Sequence, residues 1–306
     1  MSARVLDGKK LAESVRAEVK EGVTKFALEH GRFPGLDVIL VGEDPASQIY
    51  TRNKEKAAQE VGIRGKLHVL PVDTTESDLM ALLDRLNTDE NVDGILVQLP
   101  LPKQIREQRV LDAIRPDKDV DGFHPVNAGL LASGRPSLVP CTPRGSMKLI
   151  ALADRSLEGA RAVVVGRSNI VGKPMAQLLL AANATVTMAH SRTTDLAAVC
   201  READVLVVAV GKAELVRGSW VKPGAVVIDV GMNRIELPGS SEGDTKKTKL
   251  VGDVAYEECK ERASAITPVP GGVGPMTIAC LLENTLIAAQ ARGAGNNPAP
   301  LTRRVP

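Results

Sequence analysis

The segment Val163-Val164-Val165-Gly166-Arg167-Ser168-Asn169-Ile170-Val171-Gly172-Lys173-Pro174 constrains the fold more than any other in the chain. Valines in unbroken succession read as a strand covered on both faces, the signature of a parallel sheet. The strand runs straight into a glycine turn. Pro174 suits the first turn of a helix, where a missing N–H costs nothing, and Met175 to Ala182 continues with good helix formers. Strand, glycine turn and helix start together aim backbone N–H groups and a helix dipole at a phosphate. Ser168 stands where the usual G-x-G-x-x-G spacing has its second glycine. Taken alone, the loop also fits an ordinary tight strand-to-helix turn.

The same alternation runs along the rest of the chain. Leu11, Val15, Val19, Val23 and Phe26 repeat at helical spacing until Gly31 and Pro34 stop the pattern. Leu36–Val41, Leu67–Val72 and Gly94–Leu99 read as strands. Helices are expected from Pro45 onward, over Ser77–Leu86 and around Leu111. Arg115–Pro143 is polar and turn-rich, and Met147–Leu152 reads as a connecting helix. After the strand at Ala162–Val165, further strands are expected at Thr185–Ala189, Val205–Val210, Ala225–Val230 and Ala265–Pro268. Helices fall near 174–182 and 194–202, and a long one over Thr277–Arg292 is expected to pack back on the first domain. Pro238–Gly243 reads as a turn or hairpin tip. Strands alternating with helices imply parallel sheets covered by helices. The expected architecture is α/β, with one domain from 1–140 plus 275–292, a second from 141–274, and a flexible tail over 293–306.

Composition narrows the functional classes. Hydrophobic residues make up 43% and charged residues 25% of the 306 positions, as in a soluble globular protein. A net charge of +2 gives no basis for a nucleic-acid surface. No apolar run approaches the ~18 residues of a membrane span, and the first residues lack the apolar core of a signal peptide. Cys141, Cys200, Cys259 and Cys280 are scattered and form no C-x-x-C pair, which favours reduced thiols in a cytoplasmic protein over zinc or disulfides. Asp117, Asp119 and Asp121 alternate as in a calcium loop, but the glycine and terminal glutamate of that motif are missing, so no metal is expected. At least one of the three is expected to be merely solvated.

Two sets of residues carry chemistry. Dinucleotide folds that take NAD place Asp or Glu about 20 residues beyond the glycine turn to bond the ribose hydroxyls. Here that place reads Ala189-His190-Ser191-Arg192, and Asp195 is expected inside the next helix. Arg192 and Ser191 suit a 2′-phosphate, with Arg167 as a second charge, so NADP is preferred. They would equally serve as solvated loop residues. The turn at Val230-Gly231-Met232-Asn233 is placed to border the nicotinamide end. The second set begins on the helix after Asp44. At about 100° per residue, Ala46, Tyr50, Lys54, Ala57, Ala58 and Val61 share one stripe, while Arg52, Glu55, Lys56 and Gln59 lie opposite. An ammonium on a buried stripe is costly. It is either a lysine of lowered pKa suited to proton transfer or one whose stem packs while its head reaches water. Gln98 closes a strand, where parallel sheets border their ligands, with an amide able to donate and accept at once. Ile266–Thr277 is a second glycine- and proline-rich loop, either a rigid backbone that a ligand approaches closely or a stiff interdomain turn.

Together these stretches resemble the bifunctional methylenetetrahydrofolate dehydrogenase–cyclohydrolase family. The resemblance rests on Val41–Ser47, Tyr50–Lys54, Val97–Pro102, Pro116–Pro125, Val165–Pro174 and Thr267–Thr277, in order from about Val5 to Arg292. It implies a folate-binding catalytic domain and a Rossmann-like NADP-binding domain flanking a cleft, assembled as a homodimer. The implied reaction, part of one-carbon metabolism, oxidises 5,10-methylenetetrahydrofolate with NADP and hydrolyses the product to 10-formyltetrahydrofolate. By position, Lys54 would be the catalytic lysine, Tyr50 would stack on the folate, Gln98 would tune Lys54, and Asp121 would hold the pterin nitrogens. Pro270, Gly271 and Gly274 would line the folate site. Gly166, Arg167, Ser168, Ser191 and Met232 would contact NADP. Tyr50-x-x-x-Lys54 also matches the catalytic pair of short-chain dehydrogenases, although there the coenzyme loop precedes the pair. A non-enzymatic NADP-binding sensor is the remaining alternative; it would explain the glycine turn but not the lysine on the stripe.

Overall fold

A computed structural model describes residues 2–236 and 248–293; Pro238–Gly243 and the tail beyond Gly293 lie outside the described residues. In chain order the elements are β1 (Arg4–Val5), α1 (Gly8–His30), β2 (Gly35–Val41), α2 (Pro45–Glu60), β3 (Arg64–Leu70), α3 (Glu76–Thr88), β4 (Gly94–Val97), α4 (Glu107–Ala113), α5 (Pro125–Ala132) and α6 (Cys141–Ala151). There follow β5 (Arg161–Val165), α7 (Gly172–Ala181), β6 (Thr185–Ala189), α8 (Leu196–Arg201), β7 (Val205–Val208), β8 (Val226–Asp229), β9 (Asn233–Glu236), β10 (Thr248–Val251), α9 (Tyr256–Lys260), β11 (Ala265–Ile266) and α10 (Val273–Gly293).

The chain divides into two compact units. Among the described residues, one joins residues 2–12 to Thr142–Thr277, and the other joins Glu13–Cys141 to residues 278–293. The expected domain of 1–140 therefore loses its first residues. Arg4 and Val5 pair in parallel with Ala265 and Ile266, so β1 is an edge strand of the other unit's sheet.

The unit containing β5 has a six-stranded sheet in the order β1-β11-β8-β7-β5-β6, parallel throughout, besides the antiparallel pair β9-β10. β5 is hydrogen-bonded to β6 on one side and β7 on the other, with Val165 opposite both Ala189 and Val208. The chain thus leaves β5 in one direction and returns to its far side. That reversal is where open parallel sheets bind ligands, beyond the strand carboxyl ends. Val163, Val165, Leu206, Val208 and Val227 are buried in one cluster, which explains the unbroken valine runs.

The other unit has a three-stranded parallel sheet, β3-β2-β4, with every residue of β2 buried. Its core gathers Ile39, Val41, Leu79, Leu83, Ile95 and Val97. Val19, Val23 and Phe26 bury one face of α1. α10 seals this unit through Asn284, whose amide donates to the carbonyls of Val120 and Val139 at 2.8 and 2.9 Å. The expected return of the last helix is thus realised by a buried polar contact. β3 lies three residues earlier than expected, because its alternating pattern belongs to a half-exposed edge strand that begins at Arg64. α5 sits inside the stretch read as turn, started by Pro125 and capped by His124, whose Nδ1 accepts from the Val126 N–H.

Candidate active site

The lysine site is built on α2. Asp44 caps the helix by accepting from the Ser47 N–H at 2.8 Å, and Pro45 opens the first turn. Lys54, Ala57, Ala58 and Val61 fall on the buried face as expected, with Tyr50 half-buried and Arg52, Lys56 and Gln59 exposed. Ser47 and Thr51 are buried on this helix too; hydropathy does not find them because both are polar. Thr51 meets its need locally, its hydroxyl donating to the Ser47 carbonyl at 2.9 Å.

Lys54 is only 5% exposed, so its head does not snorkel to water. Its Nζ donates to Gln98 Oε1 at 3.0 Å and sits 4.5 Å from the centre of the Tyr50 ring. Gln98 follows β4 rather than ending it; its backbone N–H donates to the Ile39 carbonyl at 2.8 Å. Its side-chain Nε2 donates to the Leu99 carbonyl at 2.7 Å, which turns Oε1 toward the lysine. Burial disfavours the ammonium and lowers the Lys54 pKa, while the charge of Asp121 opposes that shift. Burial likewise pushes the Asp121 carboxyl up to about 6, against the pull of Lys54 and with help from Asp119. Two electrostatically coupled groups of opposite ordinary charge are thereby drawn toward neutrality, a pattern that marks proton-handling sites.

The three alternating acids have three separate fates. Asp117 is tied to Arg115 and Arg292, each at 2.9 Å, so it is not merely solvated. Asp119 is buried and accepts from the His124 N–H at 2.8 Å and from Asn127 Nδ2 at 2.9 Å. It holds the turn that carries Asp121, a role that spacing alone does not reveal. Asp121 is coupled electrostatically to Lys54. Among the described residues no group of His, Cys, Asp or Glu is arranged to hold a metal ion.

The coenzyme residues belong to the other unit. Gly166 has a φ of 129°, and a Cβ there would overlap the Ala209 carbonyl, so the turn leaving β5 requires glycine. Gly172 is equally constrained, by the Gly166 carbonyl. Ser168 Oγ accepts from the N–H groups of Val171 and Gly172 at 3.2 and 3.3 Å. A serine therefore satisfies the start of α7 where the common motif has glycine. Arg167 and Ser168 are exposed. After β6, His190 Nδ1 accepts from the Arg192 N–H at 3.1 Å and Thr193 Oγ1 accepts from the His190 N–H at 2.8 Å. This closed turn presents Ser191 and Arg192 outward. Asp195 is not inside a helix: it caps α8 with a φ of 46° and accepts from the Ala198 N–H. One of its carboxylate oxygens, Oδ1, is thereby bonded to the backbone. Met232 is 60% exposed, and its Cε lies 3.3 Å from where a Cβ on Gly274 would stand. Pro270 is exposed, and Gly271 and Gly274 are half-buried, all in this same unit. Gly271 has a φ of 109°. The structure thus brings Tyr50, Lys54, Gln98 and Asp121 together in one unit. The glycine loops, Ser191, Arg192 and Met232 lie in the other.

A doubly wound parallel sheet with a glycine turn at its reversal point, joined to an α/β unit with a buried lysine, defines a dinucleotide-dependent enzyme. The model of the tetrahydrofolate dehydrogenase/cyclohydrolase catalytic domain matches residues 6–121, and that of the family's NAD(P)-binding domain matches residues 140–293. The chain belongs to the tetrahydrofolate dehydrogenase/cyclohydrolase family. It is similar to the bifunctional protein FolD of Sorangium cellulosum, 63% identical over 295 residues that cover 96% of this chain and 99% of the relative. Among solved structures, the bifunctional FolD enzyme of Campylobacter jejuni is 47% identical with a TM-score of 0.89, covering 95% of this chain and 100% of its own. The FolD enzyme of Trypanosoma brucei, solved with NADP cofactor and inhibitor, is 42% identical with a TM-score of 0.89, covering 95% of this chain and 98% of its own. Family membership sets aside both the short-chain dehydrogenase and the non-enzymatic sensor.

Proposed function

We infer that this chain oxidises 5,10-methylenetetrahydrofolate with NADP and hydrolyses the resulting 5,10-methenyltetrahydrofolate to 10-formyltetrahydrofolate. The observation that carries this reading is the buried Lys54 amine, held by Gln98 beneath Tyr50 and coupled to the charge of Asp121. Family membership supports both activities. NADP, when bound, accepts the hydride that leaves the one-carbon bridge. The Gly166 turn gives a close backbone approach, and Arg167, Ser168, Ser191 and Arg192 supply exposed donors suited to phosphate. With no carboxylate in the turn of residues 190–193 that follows β6 to bond a ribose 2′-hydroxyl, this donor set favours NADP over NAD.

Residues of this chain handle the protons. A Lys54 amine of lowered pKa takes a proton from the water that attacks the methenyl carbon and returns one to the ring nitrogen as the ring opens. Gln98 Oε1 fixes the direction of that amine. Tyr50 stacks on the pterin, and Asp121 accepts two bonds from the pterin amino group and ring nitrogen. Pro270, Gly271 and Gly274 line the folate site, and Met232 contacts the nicotinamide. The residues from Glu13 to 140, with the end of α10, form the folate domain. We place the enzyme in the cytoplasm as a homodimer. Four buried cysteine thiols support a reducing compartment, and among the described residues no helix is long and apolar enough to cross a membrane.

Mixing the protein with methylenetetrahydrofolate and NADP should raise the absorbance of the reduced nicotinamide, and added methenyltetrahydrofolate should lose its own absorbance faster than in buffer. A protein inert in both assays would overturn the reading.

A further inference from the structure

At the carboxyl ends of β7 and β8, two buried aspartates bond to loops rather than to cations. Asp229, the last residue of β8, is 3% exposed, and Asp253 is fully buried. Asp229 accepts from the N–H groups of Gly231 at 2.9 Å, Asp253 at 2.9 Å and Val254 at 3.0 Å. Asp253 accepts from the N–H groups of Val210, Gly211 and Lys212 at 2.6, 2.9 and 2.9 Å, and from Asn233 Nδ2 at 2.8 Å. The turn after β7 and the turn after β8 are thus fastened to one pair of carboxylates. Gly231 and Gly252 are required at this knot, because a Cβ on Gly231 would overlap the Asp253 carboxylate and one on Gly252 that of Asp229.

Met232 is held on both sides, by Gly231 bonded to Asp229 and by Asn233 bonded to Asp253, while its own side chain is exposed. Placing two carboxylates together in a core is unfavourable; burial and the neighbouring Asp253 push Asp229 up to about 7 in spite of its three N–H partners. An apolar pair would fill the same space at lower cost but could not fasten seven donors.

We propose that Asp229 and Asp253 are positioning residues for the coenzyme: through Gly231 and Asn233 they hold Met232, and through residues 210–212 the neighbouring turn, in the form that receives the nicotinamide half of NADP. The proposal rests on the coenzyme reading above.

The test uses Asn233→Ala, which removes one tether and leaves Asp253 its backbone partners, and Asp253→Asn, which turns an amide NH₂ toward backbone N–H donors. NADP affinity is measured by calorimetry on the coenzyme-free protein, together with KM and kcat for dehydrogenation and, without coenzyme, for cyclohydrolase as the folding control. The expected result is NADP affinity weakened about fivefold in Asn233→Ala and at least tenfold in Asp253→Asn, with the folate KM and cyclohydrolase rate within twofold. An Asn233→Ala protein that is cyclohydrolase-active and binds NADP as tightly as the unaltered chain overturns the proposal, whether or not Asp253→Asn folds; a lowered Tm with unchanged affinity does the same. If the unaltered protein itself fails to bind NADP, the coenzyme reading falls first and this proposal with it.

Discussion

The two candidate sites treat charge in opposite ways. Around α2, a lysine and an aspartate are withdrawn from water, and each is displaced toward its neutral form. Around α7 and β6, Arg167 and Arg192 are left in solvent on turns whose backbone is internally bonded. The first arrangement suits the movement of a proton, where a pKa must approach working pH. The second suits the capture of an anion, where permanent charge and a rigid presentation matter more than a tuned pKa.

The comparison is broken most directly at Lys54. Lys54→Met should lower cyclohydrolase turnover by about 10³-fold, within the range of a lost general acid–base group, and lower dehydrogenation less, while NADP affinity stays unchanged. Parallel assays of the two activities with calorimetric NADP binding check this; an intact cyclohydrolase would remove the lysine from the mechanism. Next in size is Arg192→Ala. Loss of a charge-assisted bond of about 1.5–3 kcal/mol should raise the NADP KM roughly 10- to 100-fold and leave the NAD KM alone. Because the arginine is exposed, the difference between variant and unaltered protein should narrow as salt is added.

Asp121→Asn sharpens the contrast from the other side. It should weaken folate binding about tenfold, measured by titration, and it should shift a pH profile. The Asp121 charge raises the Lys54 pKa, so removing it lowers that pKa further. The neutral amine then appears at lower pH, and the ascending limb of cyclohydrolase kcat against pH moves toward acid. A limb that moves toward alkali, or does not move, contradicts the coupling. The smallest effect belongs to Ser168→Ala. Two weak bonds at the start of α7 are lost, costing about 1 kcal/mol. A thermal melt should fall by a few degrees, with cyclohydrolase unaffected.

Much of this contrast was legible in the sequence, and the exceptions share a cause. The valine run before Gly166, the stripe carrying Lys54 and the missing acid after β6 depend on local spacing, and the structure places them as spacing implies. The burial of Ser47 and Thr51, and the anchoring of a turn by Asp119, are not legible because each side chain is polar and satisfied by hydrogen bonds that spacing does not encode. Asp195 was misplaced because its role as a cap depends on a left-handed backbone conformation. β1 went unseen because two residues become a strand only when Ala265 and Ile266 arrive beside them.

That short strand bears on how the protein is made. Arg4 and Val5 wait for a partner more than two hundred and fifty residues downstream, and the Val120 and Val139 carbonyls wait for Asn284. Each unit is thus closed by segments far apart in sequence, one only after β11 has been made and the other only after α10. Cutting the gene between Cys141 and Thr142 would yield two fragments, each lacking a piece of its own interior.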